Sequence, residues 1–377
     1  MHSQYSVVLV GCGAVAQKHL KALQQNQKRL RLSGLLDRSM KAAERFIKEQ
    51  KLPANLPVAT DLEALITDGK PDIVAITSPS GSHYSLARTA LSNRIHTILE
   101  KPMTLAIEEA RELADLAVEN DVLIAMGHIY RYFPLVGLIR QDIRDGKLGR
   151  VLTADVKVRW GHDQAYYDRS AWRGSWQSDG GALMNQSVHA CDLMCWLMGE
   201  LPLTVNGRIA RLKHKLEAED YGSAIFTMES GAMLTLEGTT VSGEKNKEAS
   251  FYLCTEQAIF QAGLRNGKPY FHMCDREGKS LTRKYLARQL AEMRKNGGLI
   301  KNLRFFKNPH SAIYRDLVYC LDSGDTPIAD ATAGLNSVEH MLAVYQSALH
   351  EGKAVDLPLS NFELSDMTGF FERKQKI

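Results

Sequence analysis

Two short stretches of this sequence combine residue types that can bind substrates and move protons. In the first, Glu100, Lys101 and Pro102 come directly after the predicted strand 96–99. An ammonium at the end of a strand, beside a carboxylate and a proline, is unusual for a structural turn. Because a desolvated lysine can exchange a proton near neutral pH, Lys101 is a candidate catalytic residue.

The second stretch is a predicted helix that carries a polar stripe. Asn185, His189 and Asp192 recur at i, i+4 and i+7, so they share one helix face. Such stripes usually face solvent, but the residues around this one are mostly apolar. These apolar residues are Leu183, Met184, Leu193, Met194, Trp196 and Leu197. We therefore expect the polar face to be buried or to line a cleft.

A glycine-rich turn at the N-terminus must position a cofactor. The apolar run 7–10 is followed by Gly11 and Gly13 and then by the predicted helix 17–25. Gly11 permits a tight turn and Gly13 lets a pyrophosphate approach the backbone, while the N–H groups that begin the helix attract its negative charge. The glycine pattern alone is weak, and its strand–turn–helix setting carries the prediction. The predicted phosphate loop comprises Gly11, Gly13, Ala14, Val15 and Ala16.

An acidic residue ends the second predicted strand, 32–37. Asp37 lies where a carboxylate would accept hydrogen bonds from the adenosine ribose, which favours NAD over NADP because the charge would repel a 2′-phosphate. Arg38 complicates this choice, since it could stack on adenine or pair with a 2′-phosphate. The structural alternative for Asp37 is a helix N-cap for the segment that begins near Ser39.

Further polar residues follow the next strands of the predicted parallel sheet. The buried strand 73–77 is followed by Ser78, Pro79, Ser80 and His83, at the sheet edge where ligands of such folds gather. We assign these four residues, with Glu100 and Lys101, to the cofactor site. His83 also begins a helix, and a structural role there is equally compatible with the sequence.

Length, charge and cysteine content exclude several classes of protein. A chain of 377 residues predicts two domains. The net charge of +4 is too small to favour nucleic acid or an anionic membrane as a partner. Six cysteines form no CxxC pair, and Cys191 and Cys195 are interpreted as buried reduced thiols, so no metal is predicted. The absence of a signal-like segment or a long apolar run predicts a cytoplasmic protein.

Together these motifs resemble the glucose–fructose oxidoreductase / inositol dehydrogenase (Gfo/Idh/MocA) family. The resemblance implies an α/β fold: an N-terminal Rossmann domain with a doubly wound parallel sheet, and a C-terminal α/β domain with a large, mostly antiparallel open sheet. We place the first domain at 1–127, the second at 128–359 and a tail at 360–377. The resemblance also implies that Lys101 is catalytic and that a histidine near position 310 faces the active cleft. In relatives the corresponding Lys–Pro bond is often cis, so we expect a cis bond between Lys101 and Pro102.

The second domain contains the expected substrate determinants. Arg131 lies in a crossover segment similar to that of the family and is assigned to the substrate. The loop 164–176 contains Tyr166, Trp172 and Arg173. Aromatic rings beside an arginine suit a sugar or a nucleotide, and the resemblance implies that Trp172 and Arg173 contact the nicotinamide half of the cofactor. Tyr166 and Arg173 are also assigned to the substrate.

One departure from the family pattern bears on the mechanism. Family members carry an aspartate where this chain has Asn185, and the resemblance places that residue and His189 around the reacting carbinol with Lys101. Asparagine can hold a hydroxyl group but cannot act as a base. We therefore expect His189 to take the hydroxyl proton, Lys101 to stabilise the developing charge on the oxygen, and Asp192 to orient the imidazole.

The sequence predicts an NAD-dependent oxidoreductase that acts on a secondary carbinol of a sugar derivative. A glycoside, nucleotide sugar or amino-sugar acid, oxidised at C3, is preferred. An inositol or free-monosaccharide dehydrogenase, an NAD-dependent glycoside hydrolase and a non-catalytic NAD-binding regulator remain alternatives. A homodimer or homotetramer through the open sheet is expected. The basic helical segment 281–306 is interpreted as an insertion, with a lid or a partner arm as the alternatives.

Overall fold

The computed structural model describes residues 4–295 and 308–374, which form two compact units. The first unit contains 4–104, 109–132 and 308–335, and the second contains 105–108, 133–295 and 336–374. Across the described ranges, none of the helices has the length and apolar character that a membrane span requires.

The helices and strands alternate in the first part of the chain and segregate in the second. The α-helices are α1 Ala14–Gln25, α2 Met40–Gln50, α3 Leu62–Gly69, α4 His83–Ser92, α5 Ile107–Glu119, α6 Pro134–Arg144, α7 Gln164–Asp168, α8 Val188–Met198, α9 Thr282–Lys295, α10 His310–Ser323, α11 Ala331–Leu349 and α12 Phe370–Lys374. The strands are β1 Tyr5–Val10, β2 Leu30–Leu36, β3 Val58–Ala59, β4 Ile73–Ile76, β5 His96–Leu99, β6 Ile124–Met126, β7 Val151–Arg159, β8 Pro202–Ala210, β9 Tyr221–Met228, β10 Met233–Thr239, β11 Glu248–Thr255, β12 Ala258–Arg265, β13 Lys268–Asp275 and β14 Val355–Asp356. A π-helix spans Ala182–Ser187 immediately before α8 and is called the π segment below.

The first unit is built on a six-stranded parallel sheet in the order β3-β2-β1-β4-β5-β6. Its central strands β1 and β4 are apolar without alternation because both of their faces are covered, as all four residues of β4 are buried. The strand order reverses between β1 and β4, and this switch point is where Rossmann folds bind dinucleotides. The predicted Rossmann fold is thus confirmed.

The second unit is built on an eight-stranded sheet in the order β13-β12-β11-β7-β10-β9-β8-β14. Its strand pairs are antiparallel except β7 with β10, which run parallel. This arrangement confirms the predicted large, mostly antiparallel sheet. Alternation of buried and half-buried residues along β7 and β9 shows that one face is covered more completely than the other.

Several element boundaries differ from those predicted. The sequence pattern predicts a helix over 103–120, but helix α5 begins only at Ile107, because residues 105–107 pair their backbone with residues 362–364. A short helix, α7, lies within the predicted aromatic loop, and β13 was not predicted. Helix α9 covers the first part of the basic segment 281–306, and residues 296–306 of that prediction lie outside the described part of the chain.

The π segment packs against the sheet where two strands carry glycine opposite each other. Gly222 of β9 and Gly238 of β10 are paired in register. A Cβ atom on Gly222 would lie 2.5 Å from Leu183 Cδ1, and one on Gly238 would collide with Ser187 Oγ. The paired glycines therefore form a notch that admits Leu183 and Ser187.

Filling this notch should destabilise the second unit. We expect Gly238→Ala to lower the free energy of unfolding by about 1–3 kcal/mol, since the new methyl group must displace Ser187, whose hydroxyl donates to the Ala182 carbonyl over 2.9 Å. Chemical denaturation measures the loss. Gly243→Ala is the matched control, because its added methyl group meets nothing closer than Asn246 Nδ2 at 3.7 Å. Equal stability of the two variants would contradict the packing role of the notch.

Candidate functional site

The turn after β1 has the geometry of a phosphate-binding loop. Gly11 has φ +88°, and an added Cβ would lie 2.9 Å from the Ser78 backbone nitrogen, so a larger residue cannot replace it without strain. A Cβ on Gly13 would meet no described atom within 4 Å. Helix α1 begins with no side-chain cap and no acidic residue in its first turn. Its N–H groups therefore remain available to an anion, which fits the pyrophosphate of a dinucleotide.

The Cys12 thiol adds no negative charge to this loop. Burial first, and the nearby Asp37 charge second, raise the pKa of the Cys12 thiol to about 12. Cys12 is consequently a neutral thiol at physiological pH. Ala14 is exposed, Val15 is half-buried and Ala16 is fully buried against the sheet, as expected of the residue that packs α1 on β1.

Asp37 joins the ends of β1 and β2. Its two carboxylate oxygens accept hydrogen bonds from the backbone nitrogens of Cys12 and Ser39, each over 2.9 Å. The N-cap of α2 is Ser39, whose hydroxyl accepts from the Ala42 nitrogen, so the N-cap interpretation of Asp37 is wrong. Each Asp37 oxygen keeps a lone pair that can accept a ribose hydroxyl. Arg38 is exposed beside it.

The segment 78–83 supports the turn that carries Lys101. His83 is 1% exposed, and its Nδ1 and Nε2 lie 2.7 Å from the Pro102 carbonyl and 3.0 Å from the Ser78 carbonyl. Burial lowers the pKa of His83 against the effect of these carbonyls, so the neutral ring can donate to one of them. Ser82 donates to Ser78 over 2.7 Å. His83 therefore ties the two loops together, and direct contact of His83 with the cofactor stays a prediction.

Pro79 and Ser80 complete the predicted group on this loop. Pro79 is exposed, while Ser80 is buried in the short 3-10 turn Ser80–Ser82 that precedes α4. Their contact with a cofactor stays a prediction.

Glu100 lies in a buried network behind Lys101. Tyr314 donates to His19 Nδ1 over 2.9 Å, His19 Nε2 lies 3.0 Å from Glu100 Oε1, and His310 Nε2 lies 3.4 Å from the same oxygen. Burial alone would raise the pKa of Glu100, but the hydrogen bonds from His19 and His310 hold it well below its usual range. The carboxylate thus stays ionised next to Lys101, which is half-buried and precedes a cis Pro102 as expected.

Arg131 also belongs to the first unit. Its Nη1 donates to the Ile328 carbonyl over 3.1 Å, and the side chain is half-buried. The assignment of Arg131 to the substrate stays a prediction.

In the second unit, Asn185 is hydrogen-bonded to a buried carboxylate that the sequence analysis did not identify. The Asn185 amide donates to Asp179 Oδ1, while Asp179 Oδ2 accepts from the Gly174 nitrogen over 2.9 Å. Asp179 is 2% exposed, whereas Asn185 is half-buried. A carboxylate is therefore present behind Asn185 although the family aspartate is missing. Asp179 directly precedes the Gly180–Gly181 pair, and that position was the available sequence signal.

The polar stripe departs from the predicted α-helical face. Asn185 lies in the π segment, whereas His189 and Asp192 lie in α8. The prediction that one regular α-helix carries Asn185 and His189 on the same face is therefore wrong. External acceptors take the N–H groups at the start of the π segment. Ala182 and Leu183 donate their backbone N–H groups to the Glu219 carbonyl and carboxylate over 3.1 and 2.8 Å. His189 is half-buried and Asp192 is 3% exposed, consistent with a cleft-lining or buried face.

The aromatic residues and the arginine of the predicted substrate loop stack on one another. The Arg173 guanidinium lies 4.2 Å from the Tyr166 ring centroid and 4.7 Å from that of Trp172. Tyr166 in turn stacks on His162 at 3.8 Å with an interplanar angle of 6°. Burial lowers the pKa of His162 to about 4, so the ring is neutral. The loop thus brings together aromatic rings and a guanidinium, groups of the kind that contact sugars, bases and phosphates.

Comparison with known proteins identifies the family. Residues 5–128 match the model described as "Oxidoreductase family, NAD-binding Rossmann fold", and residues 136–260 match the "GFO/IDH/MocA C-terminal domain". The chain belongs to the Gfo/Idh/MocA family. As a Gfo/Idh/MocA oxidoreductase it uses NAD, and the phosphate loop described above fits that cofactor.

The relatives of this Gfo/Idh/MocA chain include proteins that act on sugars. The WlbA dehydrogenase from Bordetella pertussis, solved in complex with NADH and UDP-GlcNAcA, is 26% identical with a TM-score of 0.83, covering 96% of this chain and 99% of that one. D-glucoside 3-dehydrogenase of Escherichia coli is 24% identical over 94% of this chain and 98% of that protein. An uncharacterised oxidoreductase of Synechocystis is 30% identical over 52% of this chain and 51% of that protein. The match to several curated relatives spans about half of their length.

Removing the Asp37 charge should change cofactor preference. We expect Asp37→Asn to weaken NAD binding about tenfold or more and to reduce the NAD-over-NADP preference, because the ribose loses a charged acceptor while Cys12 keeps an oxygen partner. Calorimetric titration of both cofactors measures the ratio. Glu44→Gln, an exposed acidic residue on α2, is the control for net charge. An unchanged NAD-to-NADP ratio in Asp37→Asn would overturn the ribose assignment.

The buried carboxyl of Glu219 should make stability depend on pH. Burial raises the pKa of Glu219 to about 8, against the hydrogen bonds that it accepts. The pKa of Glu219 is therefore higher in the folded protein than in the unfolded chain. The stabilising contribution of the Glu219 carboxyl is complete below about pH 4 and is lost as the pH rises through the pKa of the folded protein.

We expect thermal stability to fall between about pH 5 and pH 8, and Glu219→Gln to remove most of that slope. The unfolding midpoint, measured at several pH values, provides the test. The control Glu229→Gln, at an exposed position, should keep the wild-type slope. If Glu219→Gln kept it as well, the carboxyl would not be the group responsible.

Proposed function

We propose that this protein is an NAD-dependent dehydrogenase that oxidises a secondary carbinol of a sugar derivative, or reduces the corresponding ketone. The observation that carries the proposal is the hydrogen bond from Asn185 to the buried Asp179, with the half-buried His189 on the helix that follows directly. These side chains can together hold a hydroxyl and take its proton.

The proton chemistry is assigned to His189 and Lys101. NAD, which the turn at Gly11 and the Asp37 carboxylate would hold, would supply the hydride acceptor for the carbinol carbon. His189 takes the hydroxyl proton, because Asn185 has no basic atom and Asp179 is occupied by the Asn185 amide and the Gly174 nitrogen. Lys101 donates a hydrogen bond to the same oxygen and stabilises the negative charge that develops there.

The residues behind these groups hold them in position. Asp179 fixes the Asn185 amide so that its oxygen can accept from a substrate hydroxyl, and Gln186 Nε2 lies 3.0 Å from that oxygen as a competing donor. Asp192 orients the His189 ring. His83 holds the Pro102 carbonyl and so fixes the turn that carries Lys101.

The substrate class follows from the stack of His162, Tyr166, Arg173 and Trp172. Flat rings contact the apolar face of a pyranose or a base, and the guanidinium between them can pair with phosphate or carboxylate. This supports a nucleotide sugar, a glycoside or an amino-sugar acid in preference to a free inositol. The relative bound to UDP-GlcNAcA and the relative that oxidises glucosides at position 3 support the same class and favour C3 as the reacting carbon.

Association through the open sheet is part of the proposal. Ile225 of β9 and Met233 of β10 are 42% and 44% exposed on neighbouring strands. Covering these apolar side chains would favour a homodimer or a homotetramer.

A substrate panel tests the proposed activity. UDP-sugars, glycosides, amino-sugar acids, free sugars and inositols are each incubated with NAD, and NADH formation is followed by absorbance. We expect turnover with at least one UDP-sugar, glycoside or amino-sugar acid and much weaker turnover with inositols. Release of an aglycone without net NADH would instead identify a glycoside hydrolase.

Two substitutions then test the assigned roles. Lys101→Ala and His189→Ala should each lower kcat by about 100-fold or more, since each removes a group that handles the proton, while the Kd for NAD stays within about threefold. The exposed Lys41→Ala on α2 is the matched control and should retain full activity. Full function in Lys101→Ala would favour a non-catalytic NAD-binding regulator.

A further inference from the structure

Helices α8 and α11 bring two cysteines and a histidine together inside the second unit. Cys191 and Cys195 lie four residues apart on α8, and His340 lies on α11. One Sγ atom from each cysteine and one ring nitrogen of the histidine all lie within 4.8 Å of one another. The three side chains are 1%, 6% and 2% exposed. The burial of both cysteines agrees with the sequence analysis, which had no signal for the third residue of the group.

A disulfide does not explain this cluster. Residues four apart on an α-helix have Cβ atoms about 5–6 Å apart, whereas a disulfide requires about 3.5–4.5 Å. Both cysteines are free in the structure. Helix α8 would have to distort before the sulfur atoms could bond.

Protein hydrogen bonds satisfy only part of the His340 ring. The ring is hydrogen-bonded to Cys195 and lies against the Phe226 ring, with centroids 6.1 Å apart. Its Nδ1 is buried and makes no hydrogen bond within residues 4–295 and 308–374. A buried imidazole nitrogen without a partner costs free energy. In the cluster around Glu100, both ring nitrogens of His19 have a partner, Tyr314 on one side and Glu100 on the other.

We propose that Cys191, Cys195 and His340 bind a thiophilic divalent cation of the zinc class. Two sulfurs and one imidazole nitrogen are ligands that zinc takes at about 2.3 and 2.0–2.1 Å, which places the ligand atoms roughly 3.5–4 Å apart. Small rotamer changes suffice to reach that spacing from the one observed. Two thiolates and a neutral imidazole give a divalent ion a net charge of zero, which keeps the cost of burial low.

The three protein ligands would leave the fourth tetrahedral position of the metal to a water molecule, and the effect of the site would be on the fold. Its ligands lie on α8, the helix that also carries His189 and Asp192, and on α11. A metal would therefore fix α8 to α11 and hold the helix from which the catalytic histidine projects. The proposal is independent of the dehydrogenase assignment, since it concerns metal content and stability rather than turnover.

Metal content of the folded protein tests this directly. The full-length protein is purified without chelator under reducing conditions, incubated with Zn²⁺, freed of weakly bound metal with a mild chelator and analysed by mass spectrometry. We expect about one equivalent of zinc per chain. We also expect zinc to raise the midpoint temperature of unfolding by a few degrees. Wild-type protein that is folded but retains no stoichiometric zinc would overturn the proposal without any variant.

Variants then assign the ligands. Cys195→Ala and His340→Phe should lose the zinc and the zinc-dependent stabilisation, whereas Cys320→Ala, at a buried cysteine on α10 that is 2% exposed, should keep both. Co²⁺ provides a spectroscopic readout, because thiolate coordination gives a charge-transfer band that should be absent from Cys195→Ala. Zinc retained by both ligand variants, or uptake of Cu⁺ with no uptake of Zn²⁺ by the wild type, would also contradict the site.

Discussion

The start of a helix leaves backbone N–H groups without partners, and the way in which this chain satisfies them organises both units. Before α8, the carbonyl and carboxylate of Glu219 accept the N–H groups of Ala182 and Leu183, and the Tyr345 hydroxyl accepts that of Met184 over 3.1 Å. These external acceptors satisfy the N–H groups of the first turn of the π segment. The position of Asn185, and its hydrogen bond to Asp179, follow from that turn.

The helix after the glycine turn has no such acceptors from the protein at its first N–H groups in the described residues. Helix α1 has no side-chain cap, and the Cys12 thiol beside it stays neutral. Its N–H groups are thereby left for the phosphates of a dinucleotide. One helix start is closed by the backbone and carboxyl group of Glu219 and shapes the proposed substrate site, while the other is left open and forms the proposed cofactor site.

Features that depend on short sequence distances could be predicted, and features that depend on distant partners could not. The phosphate loop is recognisable in the sequence because strand, turn and helix follow one another directly around Gly11, Gly13 and Ala16. The buried strand β4 is recognisable because its apolar run is continuous. The network of His19, Glu100, His310 and Tyr314 brings together residues up to nearly 300 positions apart, and only Glu100 had a local signal. The π-helix could not be predicted either. Its first N–H groups are accepted by Glu219 and Tyr345, which lie far from the segment in sequence.

In the proposed reaction, a hydride passes from a carbinol carbon of a sugar derivative to NAD. His189 accepts the hydroxyl proton, and Lys101 donates a hydrogen bond to the same oxygen. The most direct measurement uses a UDP-sugar or glycoside that carries deuterium at C3 and determines the mass of the NADH produced. The account predicts NADH that carries the deuterium and a slower reaction with the labelled substrate. Unlabelled NADH, or loss of the deuterium to solvent without any transfer to the nicotinamide, would contradict it.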